Sequence, residues 1–176
     1  WESQNRNLVS QDKNLTVKFL GSTADTARVT ISGWTTDATR AIRLTCDEGA
    51  CHTGVWSDSI YRLDYNGEVD NHAIEINDPN VTFDRMQIKR TISGNYIGAV
   101  IYSDTDSANT KLLNCIFWKT SSASTSGSYN AAVAHWVDGW IIANNIIIND
   151  EVSSAALYLR PSGTVGWVSV AYNNTI

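Results

Sequence analysis

The sequence predicts an all-β protein, a right-handed parallel β-helix of about six coils with little or no helix. Three observations predict it. The first is a repeat: residues 164–176 (TVGWVSVAYNNTI) vary text already used upstream. Asn173-Asn174 follows Asn144-Asn145 by 29 residues, that pair follows Asn114-Cys115 by 30, and Asn114-Cys115 follows Arg85-Met86 by 29. Each copy is an apolar run, a polar pair or near-pair and a short apolar tail, and a period in this range is the mark of stacked repeats. The second is composition. Charged residues make up 18% of the 176, below the usual ~25%, and Thr, Val, Ile, Tyr and seven tryptophans favour strand over helix. The third is that no segment sustains an apolar period of 3.6 residues. A β-sandwich also spaces its strands closely, but it has no reason to repeat its text at a constant 29.

Taken in order, residues 1–14 (WESQNRNLVSQDKN) are polar and read as a lead-in segment or cap, with 15–176 as a single β-helix domain. Strand-like runs follow at 15–20, 28–31 and 41–45, divided by turn signals at Gly21-Ser22, Ser32-Gly33 and Thr36-Asp37. The pattern lapses over 46–59, which reads as an inserted loop, and 61–65 is another short run before the turn Asn66-Gly67. From residue 71 the organisation is regular, with two strand candidates per period. The first members are 72–76, 99–102, 131–136 and 155–159; the second are the repeat copies themselves. Residues 121–130 (SSASTSGSYN) form a low-complexity loop.

In such a solenoid equivalent residues lie one above another. Phe83, Leu112, Ile142 and Ala171 are expected in one internal stack, and Ile88, Phe117, Ile147 and Ile176 in another. Asn145 over Asn174 is expected to form an amide ladder, and Asn suits the left-handed backbone of tight corners.

At VTFDRMQI, LLNCIF, IIANNIII and VAYNNTI the chain resembles the pectin-lyase-like superfamily of parallel β-helix proteins, well over residues 71–176 and loosely over 15–65. The resemblance implies the fold but leaves the function open, since that superfamily holds polysaccharide lyases, polygalacturonases, phage tailspikes, adhesins and structural coils. Residues 134–138, ending in Asp138, are similar to a lyase's Trp-Ile-Asp-His segment, but Gly139 stands where the histidine follows; a strand end and turn is the simpler reading. Arg160 is a candidate base, with a solvated corner as the alternative. Gln87-Ile88-Lys89-Arg90 is the nearest echo of a polygalacturonase motif, without the paired carboxylates that glycoside hydrolysis uses.

Other chemistry is sparse. Asp104 with Asp106, and Asp150 with Glu151, are candidate calcium ligands. His52, His72 and His135 lack the spacing of a zinc site. For Cys46 and Cys51 a local disulfide and two free thiols both fit; Cys115 falls at a repeat position and reads as a small buried side chain. A net charge of −5 without a basic stripe argues against nucleic acid, and no run approaches the ~20 apolar residues of a membrane span.

Aromatic residues are the more informative group. Tyr102, Trp118, Trp136, Trp140, Tyr158, Trp167 and Tyr172 fall on or beside the strands, where outward rings make platforms for sugars and inward rings pack the core. Tyr102, Trp136 and Tyr158 sit in the first strand of three successive periods and form the candidate ligand-binding row.

The sequence thus points to a rigid scaffold or adhesive shaft with a capacity for binding glycan, part of a longer extracellular, cell-surface or virion protein. Two other classes stay open: a polysaccharide lyase or glycoside hydrolase, and a self-assembling structural component. The expected partners are a polysaccharide surface and copies of the chain itself or neighbouring coils.

Overall fold

A computed structural model describes residues 6–67, 71–94, 96–103, 107–121, 131–135, 139–151, 154–160 and 169–176. The chain winds as a parallel solenoid. Successive turns are β1 (Leu15–Phe19), β2 (Ala24–Asp25) and β3 (Val29–Ile31); β4 (Ile42–Cys46), β5 (Arg62–Gly67) and β6 (Ile74–Ile76); β7 (Val81–Asp84), β8 (Gln87–Ile92) and β9 (Ile101–Ser103). They continue as β10 (Lys111–Leu113), β11 (Ile116–Ser121) and β12 (Ala131–His135); β13 (Ile141–Ala143), β14 (Ile146–Asn149) and β15 (Ala155–Leu159); and then β16 (Val170–Tyr172). Every third strand pairs, and all the pairings are parallel. They build a six-stranded sheet β1-β4-β7-β10-β13-β16 and two five-stranded ones, β2-β5-β8-β11-β14 and β3-β6-β9-β12-β15. The expected six coils are therefore slightly too many.

The turn also holds three strands, where the sequence suggested two per period. What reads as one apolar run with a polar pair inside it is two strands bent at a single residue. Arg85, Asn114, Asn144 and Asn173 occupy that bend at four successive levels, with φ of 58°, 54°, 57° and 51°. Only a left-handed residue turns the chain this sharply, and Asn tolerates that region better than most side chains.

Inside the bend sits Met86, Cys115, Asn145 or Asn174. Asn145 is 1% exposed. Its amide donates to Leu112 O at 2.9 Å and to Asn174 Oδ1 at 3.0 Å, while its own Oδ1 accepts from Cys115 N at 2.8 Å. Asn174 repeats the contact by donating to Ile142 O at 2.8 Å. The expected amide ladder is present, and it satisfies backbone groups that the bend takes out of the sheets.

Both expected apolar stacks form up to their last members: Ala171 keeps register but is exposed, and Ile176, expected at the end of the second stack, is 75% exposed. Cross-strand register sets Val17, Leu44, Phe83, Leu112, Ile142 and Ala171 in one line, and Leu63, Ile88, Phe117 and Ile147 in another. Phe83, Ile88, Leu112, Phe117 and Ile142 are fully buried. Helix is nearly absent among the described residues. The four-residue α1 (Leu8–Gln11) is capped by the Asn7 side chain, and Leu8 enters the core while its N–H donates to Thr35 O at 3.0 Å.

The earliest turns depart most from the regular pattern. Between β4 and β5 the chain leaves the sheets over residues 47–61, with a short 3-10 turn at Glu48–Ala50. Cys46 and Cys51 are joined by a disulfide at its base. Buried Gln87 ties down the far end of this excursion: its Oε1 accepts from Ser57 N at 3.0 Å, and its amide donates to Ser57 O at 2.6 Å and Tyr61 O at 3.0 Å.

Two substitutions test this architecture. Phe117→Ala removes a ring held between Ile88 and Ile147 and should cost roughly 3–5 kcal/mol in denaturant unfolding; a loss below ~1 kcal/mol would place Phe117 outside the core. At the bend, Arg85 is the one left-handed member that is not Asn. Arg85→Asn should raise stability by up to ~1 kcal/mol, whereas Asn144→Ala should lower it by about 1–2 kcal/mol.

Candidate saccharide-facing site

Alternation along each strand sends every second side chain away from the central core, so each sheet carries outer rows of residues one strand spacing apart, ~4.8 Å. On the outer face of β6-β9-β12-β15, register aligns Glu75, Tyr102, Ala134 and Tyr158. Ala134 thus holds the level between the two tyrosines that the sequence reading gave to Trp136, and Trp136 lies outside the described residues.

Nor is Tyr102 an open platform. It is 7% exposed and packs with Ala99, Ala131, Ala134 and half-buried Tyr158 in a cluster separate from the main core. Its ring stacks on His72, with centroids 3.9 Å apart. His72 Nδ1 accepts from Ala99 N at 3.0 Å, and burial holds this imidazole at about 4, well below its usual range. The row therefore reads as packing between coils, with Tyr158 its more accessible end.

The other candidates separate in the same way. Asp104, Asp106 and Asp138 lie outside the described residues. Arg160 is exposed just beyond β15, where its backbone N–H donates to His135 O. Asp150 and Glu151 do not act together: Asp150 faces solvent, whereas Glu151 is buried in an ion pair with Lys119. Lys119 Nζ also lies 3.4 Å from Ser154 Oγ, whose hydroxyl accepts from Asn149 Nδ2 at 2.7 Å. Desolvation lowers the Lys119 pKa and the carboxylate opposes that shift. This pair closes a corner of the solenoid and has no open side for a substrate.

A second outward face, on β5-β8-β11-β14, brings together residues that the sequence did not single out as a group. Asp64, Lys89, Trp118 and Ile148 share one row. Asn66, Thr91 and Thr120 share the next, and Asp150 N donating to Lys119 O at 3.0 Å extends that row to Asp150. Trp118 is half-buried and its indole N–H donates to Asp150 Oδ2 at 2.8 Å. The Lys89 ammonium stands 4.7 Å from the ring centroid, a cation–π geometry. Trp56, held close by the Gln87 tether at Ser57, meets Trp118 edge to face at 5.4 Å, and its N–H donates to Asp58 Oδ1 at 3.1 Å. In the second row Thr120 Oγ1 donates to Thr91 Oγ1 at 3.3 Å. Two indoles thus stand beside a line of amide, hydroxyl and carboxylate groups.

The signal for Trp118 was in its own strand. In IFWKTS, burial of Phe117 forces Trp118 outward and Lys119 inward. Trp56 carries no comparable signal, because an irregular excursion brings it to the sheet. No group of three or more His, Cys, Asp or Glu poised to hold a metal occurs among the described residues. No family model, curated protein or solved structure matches this chain.

His72 makes the packing of this region sensitive to pH. Its folded pKa, near 4, lies below the ordinary 6.5, so the unfolded chain binds the extra proton between those values. Its contribution is fully present above about pH 6.5 and is lost as pH falls through 4. His72→Asn should flatten the decline in melting temperature across that window; an unchanged pH profile would show that His72 is solvated in the folded protein.

Proposed function

We propose that this chain is a rigid solenoid module of an extracellular or virion surface protein, and that it serves as an adhesive scaffold contacting polysaccharide. The observation that carries the reading is the unbroken parallel register. It holds outward side chains in straight rows at fixed spacing, which suits a repeating polymer better than a single small molecule. The Cys46–Cys51 disulfide supports an oxidising compartment. The stacked Asn-containing motif and the three-sheet turn support grouping the solenoid with the pectin-lyase-like superfamily.

Affinity electrophoresis through gels containing galactomannan, dextran, hydroxyethyl cellulose or polygalacturonate tests the adhesive role. Retardation by at least one polysaccharide is expected, and it should persist in high salt because ring stacking is largely dispersion and apolar burial. Unretarded migration in every gel would remove the adhesive role.

A further inference from the structure

We infer that the outer face of β5-β8-β11-β14 around Trp118 is a binding site for an uncharged polysaccharide, lying along the solenoid axis. The inference rests on the adhesive reading above and names its site and ligand class. Three features carry it.

The first is the aromatic corner. Trp56 and Trp118 meet at an interplanar angle of 83°, and both keep part of their surface in solvent. Their N–H groups are already engaged by Asp58 and Asp150 and Lys89 lies over the Trp118 ring at 4.7 Å, so what the corner offers a ligand is the apolar surface that the two rings still expose. The C–H face of a pyranose fits such a surface, because burying it releases water without stranding a hydroxyl.

The second feature is the flanking row. Asn66, Thr91 and Thr120 stand on three successive strands, with Asp150 just past the end of the fourth, ~4.8 Å apart along the axis and ~7 Å from the row that carries Trp118. They supply donors and acceptors beside the aromatic surface, repeated along the axis in steps comparable to one pyranose. A sugar chain laid across the coils keeps meeting polar partners, whereas one laid along a strand leaves the row after a single unit.

The third feature is charge. Asp64 sits beside Lys89 in register, Asp150 holds the Trp118 indole, and Arg62 is paired with Asp58 at 3.2 Å. Three carboxylates against two cations leave one net negative charge in the patch, on a chain of net charge −5. That balance opposes a uronate or sulfated polymer and leaves a neutral one unopposed.

The test compares the parent chain with Trp118→Ala and with Thr91→Val/Thr120→Val in gels of galactomannan, dextran, hydroxyethyl cellulose and polygalacturonate. The double valine variant preserves shape and strand propensity, so it remains informative if Trp118→Ala unfolds, which circular dichroism would show. The expected result is retardation of the parent by a neutral polysaccharide, with apparent affinity reduced about tenfold or more in Trp118→Ala, equivalent to ~1.4 kcal/mol. A smaller reduction is expected in the valine variant. Parent-like retardation of a folded Trp118→Ala, or of the valine variant where the other does not fold, overturns the site and leaves the adhesive reading standing. Retardation by polygalacturonate alone overturns the ligand class. A parent retarded by none of the four overturns both.

Discussion

Backbone hydrogen bonding between successive turns governs this structure. A parallel ladder pairs each strand with the one a full turn away, so every turn must return the chain to the same register. An insertion inside a strand would shift all later side chains between core and solvent, and length variation is therefore confined to the corners. The stacking of the bends at Arg85, Asn114, Asn144 and Asn173 follows from this constraint, as does the apolar line from Val17 to Ala171. The ladder also explains how a chain with few charged residues keeps a defined surface, since its outward rows are as regular as its core.

The fold was legible in the sequence where the ladder leaves an imprint. Residues 71–176 show it because each turn repeats an apolar run, a left-handed residue and an inward side chain. The division of that run into two strands was not legible, because a single residue makes the bend and apolar side chains continue on both sides of it. β2, only Ala24–Asp25, was missed for a different reason: two residues carry no period, and pairing to Arg62 and Leu63 of β5 makes them strand.

Much less of the candidate site could be read. A strand's alternation says which side chains share a face, and register aligns Tyr102 with Tyr158 through Ala134, but it does not say what then covers them. His72, thirty residues before Tyr102, supplies a ring that buries it. Trp118 shows the converse. Its outward position follows from burial of Phe117, yet its partner Trp56 arrives from an excursion tethered by Gln87, and no local pattern connects the two.

The corners show what replaces the ladder where it ends. Along β5, β8, β11 and β14 the inward positions change from Leu63, Ile88, Phe117 and Ile147 to Tyr65, Arg90, Lys119 and Asn149. Cations inside a solenoid look misplaced until their partners are traced. Arg90 donates to Asn71 O, Gly67 O and Thr91 O at 3.2, 3.0 and 2.9 Å, with its guanidinium 4.5 Å from the Tyr65 ring centroid. Lys119 holds Glu151 and Asn149 donates to Ser154 O and Ala155 O. Carbonyls that lose their strand partner as the chain leaves the sheet are thus met by side-chain donors from inside the coil, as buried acceptors require. The approach is close enough that a Cβ at Gly98 would lie 2.1 Å from Asn71 O, so this corner also needs a residue without a side chain. At these two turns the long donors tie the departing chain to the inside of the coil, while the strands on either side keep one register.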